Sequence, residues 1–390
     1  MTRQQSEDEV KGKRMQGMKR KLRAGWALAA FVLCGSVLSA QKLEPWEIGP
    51  FERPPEGNPV IAPRAESTFI DPVLKTPVHW EALHTFNPAA IVRDGKVYVL
   101  YRAEDDSGAM EIGGHTSRLG LAESEDGIHF TRRAEPVFFP AVDGEKAREW
   151  PGGVEDPRIV EGEDGTYVLT YTQWNRATFS VGIATSPDLL HWTKYGTAFQ
   201  HEMGGKYDSL KYKSAGIVTR LDESKGRLIA AKIDDKYWMY WGEGAIHLAT
   251  SADMIHWTPL EDATGAPAER MGPRPKHFDS SFPETGPPPV LTSKGIVVLY
   301  NGKNAVKGGD PALGPNAYGV GEALFEPDNP FRIVARAERP VLKPEMAYEK
   351  TGQYAAGTTF AEGLVVFHGR WFLYYGCADS LVGVVTAAVK

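Results

Sequence analysis

The chain has 390 residues, of which 42% are hydrophobic and 24% are charged, so its composition is that of an ordinary globular protein. Its 44 basic and 50 acidic residues give a formal net charge of −6, which provides no electrostatic basis for binding nucleic acid or an anionic membrane. The 10 Trp, 15 Tyr and 16 Phe suit a β-rich protein, and exposed aromatic faces also suit sugar rings. No Cys/His cluster has the spacing of metal ligands, so we expect no metal and no other cofactor.

The N-terminus has the three parts of a secretory signal, preceded by a polar extension. Residues 19–23 (KRKLR) are basic, residues 26–38 form an apolar run, and Ala40 ends a stretch of small residues suited to cleavage. The apolar run is short for a transmembrane span. We therefore expect residues 1–40 to be a signal peptide with an N-terminal extension. Residues 41–390 would then be a protein exported to the periplasm or the medium, with no membrane contact after the signal is removed.

Five segments repeat one pattern, a turn followed by a strand rich in β-branched and aromatic residues. They are 94–101 (DGKVYVLY), 164–171 (DGTYVLTY), 235–240 (DKYWMY), 294–300 (KGIVVLY) and 369–375 (GRWFLYY). Such segments are typical of buried strands entered from tight turns. A second pattern, a Ser/Asp turn followed by His and an aromatic residue, occurs at 122–130, 184–192 and 249–257. We interpret these three histidines as parts of the turn.

The repeat predicts an all-β fold. Five units of about 60 to 75 residues suit five blades of four strands around a central channel. A β-sandwich would account for the strands but not for the repeat, and no segment after residue 40 has convincing helical periodicity. We therefore predict a five-bladed β-propeller over residues 41–390, with the active site at the central channel and functional loops gathered on one face.

The residues best suited to acid–base chemistry lie between the first two units. Residues 150–158 (WPGGVEDPR) place Glu155 and Asp156 before a proline and Arg158, and two glycines allow a ligand or another backbone to approach closely. The same spacing also suits a salt-bridged loop. A related charged cluster, residues 101–106 (YRAEDD), directly follows the first strand.

These segments closely resemble glycoside hydrolase family 130, the mannoside phosphorylases and mannosidases, whose hallmark is Gly-Gly-x-Glu-Asp-Pro-Arg. Other matching stretches are 86–89 (FNPA), 117–120 (SRLG), 286–289 (GPPP) and 374–379 (YYGCAD). The resemblance implies the propeller fold. It implies that Asp156 is the general acid and passes its proton through the mannose 3-hydroxyl to the glycosidic oxygen. It also implies that the mannose in the first subsite is held by residues that include Asn87, Arg102, Asp105 and Asp379.

The attacking nucleophile is either water or phosphate. A phosphorylase needs basic side chains around a dianion, whereas a hydrolase needs a carboxylate base. Glu243 and Glu284 resemble the paired glutamates of the hydrolytic branch, the exo-acting β-1,2-mannosidases. One carboxylate at about 4 Å from a phosphate oxygen costs about 4 kcal/mol at an effective dielectric constant of about 20. The basic residues that would offset this cost are Arg118, Arg158, Lys213, Lys232 and Lys303, of which we include Arg118, Arg158 and Lys213 among the substrate-binding residues.

We predict a secreted, inverting exo-β-mannosidase that hydrolyses β-1,2-linked mannoside oligosaccharides. Asp156 would protonate the leaving oxygen, and Glu243 or Glu284 would activate water on the opposite face of the sugar. Secretion also favours hydrolysis, because a secreted phosphorylase would leave a charged product outside the cell. Two alternatives remain: a β-mannoside phosphorylase that releases mannose 1-phosphate, and a glycan-binding propeller without catalysis.

Overall fold

The computed structural model describes residues 43–200 and 202–389, and nearly all of the regular structure in them is β. Within these residues there are 25 strands, one four-residue α-helix (Lys146–Glu149) and two 3₁₀ turns (Glu202–Gly205 and Ala347–Glu349). The prediction of an all-β fold is therefore confirmed for the described residues, apart from these three short helical segments. The predicted signal peptide, residues 1–40, lies outside the described residues.

The strands are numbered here in chain order. The first ten are β1 (Phe69–Ile70), β2 (Pro77–Val78), β3 (His84–Arg93), β4 (Lys96–Glu104), β5 (Ser117–Ser124), β6 (Thr131–Arg132), β7 (Gly153–Glu161), β8 (Tyr167–Trp174), β9 (Phe179–Ser186) and β10 (Thr193–Thr197). The next seven are β11 (Ala215–Ile217), β12 (Thr219–Asp222), β13 (Arg227–Ala230), β14 (Lys232–Ile233), β15 (Lys236–Trp241), β16 (His247–Ser251) and β17 (Thr258–Pro259). The last eight are β18 (Phe282–Thr285), β19 (Val290–Thr292), β20 (Gly295–Lys303), β21 (Tyr318–Phe325), β22 (Ile333–Arg336), β23 (Thr359–Phe367), β24 (Arg370–Cys377) and β25 (Leu381–Ala388).

Sequential strands pair as antiparallel hairpins, so most of the sheet is built from local contacts. Strands β3 to β10 form one sheet, in which β5 meets β7 through a parallel contact between Ser117 and Gly153. Strands β12 and β19 also pair in parallel. The last hairpins, β23 to β25, form a three-stranded sheet, and the N-terminal segment extends it because Glu52 pairs with Thr386 and Ile61 pairs with Val382.

A buried tyrosine, a carboxylate and a glycine recur together in four of the hairpin regions. The tyrosine hydroxyl donates to a buried carboxylate from a segment outside the hairpin in the pairs Tyr101–Glu81, Tyr171–Glu149, Tyr300–Asp279 and Tyr375–Glu349, at 2.7 to 2.8 Å. The residue opposite each tyrosine on the next strand is Gly120, Gly182, Gly321 or Gly383. A Cβ at any of these glycines would lie within 2.7 Å of the tyrosine ring. The ring therefore occupies the space that a side chain would take.

The Ser/Asp turns predicted from the sequence share one geometry in all three copies. In the first, Asp126 Oδ1 accepts hydrogen bonds from the backbone N–H groups of Ile128 and His129, and Asp126 Oδ2 lies 2.7 Å from His129 Nδ1. Asp188 with His191 and Asp253 with His256 repeat the side-chain contact, at 2.6 and 2.8 Å. These exposed histidines are parts of turns on the surface.

Three strands break register at corresponding places. The antiparallel pairing slips at Asn87 in β3, at Asp156 in β7 and at Glu362 in β23. Asn87 and Asp156 have φ angles of 45° and 48°, a conformation that most L residues avoid. The side chains at these breaks leave the alternating pattern of the strand. Because β3 lies against both β7 and β23, the three breaks are brought near one another.

The five predicted repeat segments all lie on strands that begin directly after a turn, namely β4, β8, β15, β20 and β24. Their apolar side chains are buried in the five clusters that make up the core of the described residues. Closure of these regions into a five-bladed ring stays a prediction. No helix within residues 43–200 and 202–389 is long and apolar enough to cross a membrane.

Candidate active site

A pocket of about 300 Å³ has two of the register-break residues, Asn87 and Asp156, in its wall. Its other polar lining residues are Arg102, Glu155, Thr172, Lys213, Glu243, Glu284, Gln353 and Asp379. Its apolar and aromatic lining consists of Phe86, Ile112, Gly113, Trp174, Phe179, Tyr318, Tyr354 and Phe360. Five carboxyl groups and two cations thus face one small space, a composition suited to a neutral polyhydroxylated ligand.

Asp156, in the pocket wall, is held by two side chains. Asn87 Nδ2 donates to Asp156 Oδ1 at 2.8 Å, and Arg102 Nη1 donates to the same oxygen at 3.1 Å. Burial opposes ionisation of Asp156, but the charges of Arg102, Lys213 and Arg158 outweigh it and lower its pKa to about 2. Asp156 is therefore a carboxylate in the free protein at neutral pH, and it needs a proton before it can act as an acid.

Arg102 is the cation around which the carboxylates gather. Its Nη2 atom donates to Glu104 Oε1 at 2.6 Å and lies 2.8 Å from Glu155 Oε1. Its guanidinium also lies over the ring of Phe86, 4.5 Å from the centroid. Burial, only partly offset by Arg102 and reinforced by the charge of Asp156, raises the pKa of Glu155 to about 7.

Asp379 completes this acidic cluster from the turn between β24 and β25. Burial is the main cause that raises the pKa of Asp379 to about 7, and the charge of Asp156 adds to it. Gln353 lines the pocket next to Asp379. Its Nε2 atom donates to the backbone oxygen of Asp379 at 2.8 Å and to Glu104 Oε2 at 3.0 Å. Glu155 and Asp379 therefore retain protons up to about pH 7, whereas Asp156 is already ionised.

Lys213 lies between two glutamates in another part of the wall. Its Nζ atom is 3.4 Å from Glu243 Oε1 and 3.3 Å from Glu284 Oε1. Glu284 is buried, and its Oε1 also accepts a hydrogen bond from Ser214 Oγ at 2.6 Å. Burial raises the pKa of Glu284, and the charge of Glu243 reinforces the shift against the opposing charge of Lys213. Glu243 and Glu284 also face each other across a backbone bridge.

Aromatic side chains form much of the remaining wall. Trp174 donates its indole N–H to the backbone oxygen of Gly113 at 3.3 Å, so this ring is fixed against the loop that follows β4. Tyr318 contacts both Tyr354 and Phe360 edge-on, with ring centroids 5.6 Å apart in each pair. Such rings offer apolar faces to the C–H groups of a sugar while the carboxylates bind its hydroxyls.

The structure brings most of the predicted site residues together. Those that line the pocket are Asn87, Arg102, Asp156, Lys213, Glu243, Glu284 and Asp379. Asp105, Arg118 and Arg158 do not line it. Asp105 Oδ2 and Asp71 Oδ2 accept from the two terminal nitrogens of the buried Arg118, at 2.8 and 2.6 Å.

Asp105 also accepts hydrogen bonds from the backbone of Ser107 and Thr116. Asp105 therefore holds the loop in which Ile112 and Gly113 line the pocket, and it does not itself line the pocket. Lys232 and Lys303, the further phosphate candidates, are likewise absent from the pocket lining.

Sequence reasoning missed several lining residues. Glu155 lies inside the predicted motif, but only its burial beside Arg102 in the structure identifies it as a residue of the acidic cluster. Trp174, Tyr318 and the adjacent pair Gln353 and Tyr354 come from three separate parts of the chain, and no local pattern in the sequence marks them. Within residues 43–200 and 202–389, no group of three or more His, Cys, Asp or Glu side chains is arranged to hold a metal ion.

A larger cavity, about 710 Å³, lies elsewhere on the molecule and shares no lining residue with this pocket. Its wall includes Arg93, Tyr98, Glu123 and Arg132. Arg93 donates to the backbone oxygen of Asp188, so this cavity follows the seam between two hairpin regions. The smaller pocket holds the acidic cluster, and we take it as the candidate active site.

Comparison with known sequences identifies relatives over most of the chain. A family model described as beta-1,4-mannooligosaccharide phosphorylase, of the glycoside hydrolase 130 group, matches residues 60–390. A 1,2-β-oligomannan phosphorylase of Thermoanaerobacter sp. (strain X514) is 29% identical, and the match covers 85% of this chain and 95% of that protein. A β-1,2-mannobiose phosphorylase of the same strain is 27% identical, covering 78% of this chain and 90% of that protein.

Solved structures with higher identity also match. One, reported under the statement that "the GH130 family of mannoside phosphorylases contains glycoside hydrolases that target beta-1,2 mannosidic linkages in Candida mannan", is 48% identical with a TM-score of 0.87, over 90% of this chain and 98% of that one. A glycosyl hydrolase from Bacteroides ovatus is also 48% identical with a TM-score of 0.87, over 90% of this chain and 97% of that one. The β-1,2-mannobiose phosphorylase of Listeria innocua, at 21% identity and a TM-score of 0.65 over 86% of this chain and 96% of that one, shows likeness of fold alone.

Proposed function

Because the chain belongs to glycoside hydrolase family 130, a family of enzymes that act on mannosides, we propose that it is an inverting exo-β-mannosidase that hydrolyses β-1,2-linked mannosides. The observation that carries this proposal is the placement of Lys213 between Glu243 and Glu284. Lys213 is the cation that lines this part of the pocket, and two carboxylates already neutralise it.

A phosphate dianion requires several converging cations, and this wall offers it two carboxylates instead. The other lining cation, Arg102, is engaged by Glu104, Glu155 and Asp156. Arg118 and Arg158, which the phosphorylase hypothesis would need, lie outside the pocket lining. Each additional carboxylate at about 4 Å makes the binding free energy of an anion less favourable by about 4 kcal/mol at an effective dielectric constant of about 20. Water carries no charge and meets no such cost.

We assign the general base to Glu284. A base must be ionised yet have a pKa close to the working pH, and burial raises the pKa of Glu284 towards that range. Its Oε2 atom has no hydrogen-bond partner within the described part of the chain, whereas its Oε1 atom is held by Ser214. One oxygen is thus fixed, whereas the other is buried without a hydrogen-bond partner among the described residues, and in this proposal the attacking water becomes that partner. Glu243 helps to hold Lys213 in place.

Asp156 delivers the proton to the leaving group in this proposal. Its low pKa in the free protein is compatible with this role because Glu155 and Asp379 keep protons up to about pH 7 in the same cluster. In this proposal Glu155 or Asp379 gives its proton to Asp156 when the sugar is bound, so the number of protons in the cluster is unchanged. The mannose 3-hydroxyl would relay that proton to the glycosidic oxygen, as the resemblance to the family implies.

Phosphorolysis is the second candidate, and the curated relatives favour it. The family model and the Thermoanaerobacter proteins are described as phosphorylases, which release a sugar phosphate. In that case Lys213 would bind phosphate and displace the two glutamates. The structures with higher identity, described as hydrolases, support water as the acceptor. A glycan-binding protein without catalysis remains the least supported alternative, because the acid, the glutamates and the pocket are all present.

We also propose that the hairpin regions close into a five-bladed propeller, with the pocket at the central channel. The pairing of Glu52 and Ile61 with the last strand supports closure, since it joins the two ends of the described chain. Export through a signal within residues 1–40 likewise remains a proposal. It would place the enzyme where polymeric mannosides occur and where a phosphorylated product would be lost.

The stereochemistry of the first product tests the mechanism. A single displacement by water inverts the anomeric centre and yields α-mannose before mutarotation. Proton NMR during early turnover of β-1,2-mannobiose should therefore show the α-anomer first. β-Mannose as the initial product would contradict the inverting mechanism.

A further inference from the structure

Arg158 lies outside the pocket lining and connects the backbone of the proposed acid to the backbone of the two residues that follow the proposed base. Its Nη1 atom donates to the backbone oxygen of Asp156 at 3.0 Å. Its Nη2 atom donates to the backbone oxygen of Thr285 at 2.7 Å, and its Nε atom donates to that of Gly286 at 3.1 Å. Thr285 directly follows Glu284, so one guanidinium contacts both the acid and the neighbour of the base.

Glu362 anchors this guanidinium from a third strand. Its Oε1 atom lies 2.9 Å from Arg158 Nη1, and its side chain is completely buried. Neither carboxylate oxygen of Glu362 has a hydrogen-bond partner among the described residues, so the ion pair with Arg158 is its principal contact. Buried ion pairs contribute little net stability because both charges lose their hydration. We therefore attribute to the Arg158–Glu362 pair the role of holding the guanidinium in place, rather than a contribution to the free energy of unfolding.

We propose that Arg158, anchored by Glu362, is a positioning residue that fixes the separation between Asp156 and Glu284; this inference rests on the catalytic roles proposed above. An inverting glycosidase needs its two carboxyl groups about 6.5–9.5 Å apart so that a water molecule lies between base and sugar. Asp156 has a φ of 48°, and such a conformation persists only where neighbouring contacts hold it. The bond from Arg158 to the Asp156 carbonyl is one of these contacts.

Arginine is suited to this position and lysine is not. The planar guanidinium directs its N–H groups along fixed directions, so it can bind three carbonyl oxygens and one carboxylate at once. The register break in β7 removes ladder partners from this segment, and the side chain of Arg158 supplies one to the carbonyl of Asp156. A lysine would keep the charge but could not reach both strands.

The test is Arg158→Lys, compared with the matched control Arg336→Lys. Arg336 is a largely buried arginine that donates to Asp279 and to the backbone oxygen of Gly272, outside the pocket lining. We expect Arg158→Lys to lower kcat by about 10²-fold, a loss that a displacement of about 1 Å can cause, with KM changed less than about threefold. The limbs of the pH–rate profile should stay in place because the charge is retained. Arg336→Lys should keep the wild-type kcat.

Wild-type kcat in Arg158→Lys would overturn the inference, as would a raised KM at unchanged kcat, which would indicate a substrate contact. If Arg158→Lys does not fold, Glu362→Gln decides, because it keeps the shape of the side chain and replaces only the carboxyl group that faces Arg158. We expect Glu362→Gln to lower kcat at nearly constant KM, and an unchanged kcat would overturn the inference.

The acceptor is established separately by whether wild-type enzyme forms mannose or mannose 1-phosphate. The variants are then assayed with that acceptor. Failure of the hydrolase proposal is thus read from the wild-type product, and failure of the positioning role from the variants.

Discussion

Lys213 Nζ lies 3.3 Å from Glu284 Oε1, so the cation of this wall is paired with a carboxylate before any ligand binds. Ser214, the next residue, donates to the same oxygen at 2.6 Å. These contacts orient Glu284, whose buried Oε2 atom has no hydrogen-bond partner among the described residues. Because the charge of Lys213 is already neutralised by Glu284, we expect this part of the pocket to accept a neutral nucleophile rather than an anion.

Glu284→Gln and Glu243→Gln separate the base from its neighbour. We expect Glu284→Gln to lower kcat by about 10²–10⁴-fold, because an amide cannot accept the proton of water. Glu243→Gln should mainly change KM, since Lys213 loses one of its two carboxylate contacts. Steady-state kinetics on β-1,2-mannobiose measure both effects. The reverse pattern would assign the base to Glu243.

Asp156→Asn tests the proposed acid. The amide keeps the shape of the side chain and can still contact Asn87 and Arg102, but it cannot deliver a proton. We expect kcat to fall by about 10²–10⁴-fold while the affinity for the disaccharide, measured by calorimetry, changes little. A substrate with a leaving group that needs no protonation should recover part of the rate. Full activity of the variant on β-1,2-mannobiose would exclude Asp156 as the acid.

The pH dependence of kcat/KM should be bell-shaped. The pKa values of Glu155 and Asp379 are each raised to about 7, so the acidic cluster loses its protons, and activity falls, as the pH rises through about 7. On the acidic side, Glu284 must be ionised, and its raised pKa places this limb above the usual range of a glutamate. Initial rates between pH 4 and 9 test both limbs. A rate that stays constant from pH 6 to 9 would contradict the cluster as the proton source.

The repeated tyrosine–carboxylate pairs should contribute to stability. Tyr171→Phe removes the hydrogen bond to the buried Glu149 and leaves that carboxylate less satisfied, which should lower the free energy of unfolding by about 1–3 kcal/mol. Tyr195→Phe is the control, because Tyr195 is exposed and its hydroxyl only accepts a long hydrogen bond from Thr185. Denaturant unfolding compares the two variants. Equal stabilities would show that the buried pair contributes nothing.

The sequence alone predicts the strands and the motif but not how the pocket is assembled. The turn-and-strand repeats are local patterns, so β4, β8, β15, β20 and β24 were predictable from periodicity and turn residues. Trp174 and Tyr354 become neighbours of Asp156 only when distant hairpins pack, and no local rule encodes that contact.

Arg158 shows why nearness to a motif is a poor guide to a role. It lies two residues after Asp156, and in a regular strand the two side chains would share a face. The register break between Glu155 and Arg158 removes that relationship. Asp156 then lines the pocket and Arg158 bonds to the backbone behind it. The positive φ of Asp156, which marks this break, is not visible in residue types.

The most direct test of water as the acceptor is incubation of the enzyme with β-1,2-mannobiose in buffer freed of phosphate, followed by product analysis with and without added inorganic phosphate. We expect mannose to form at the same rate in both conditions, with no mannose 1-phosphate. Turnover that stops without phosphate and yields mannose 1-phosphate with it would contradict the hydrolytic assignment and establish phosphorolysis.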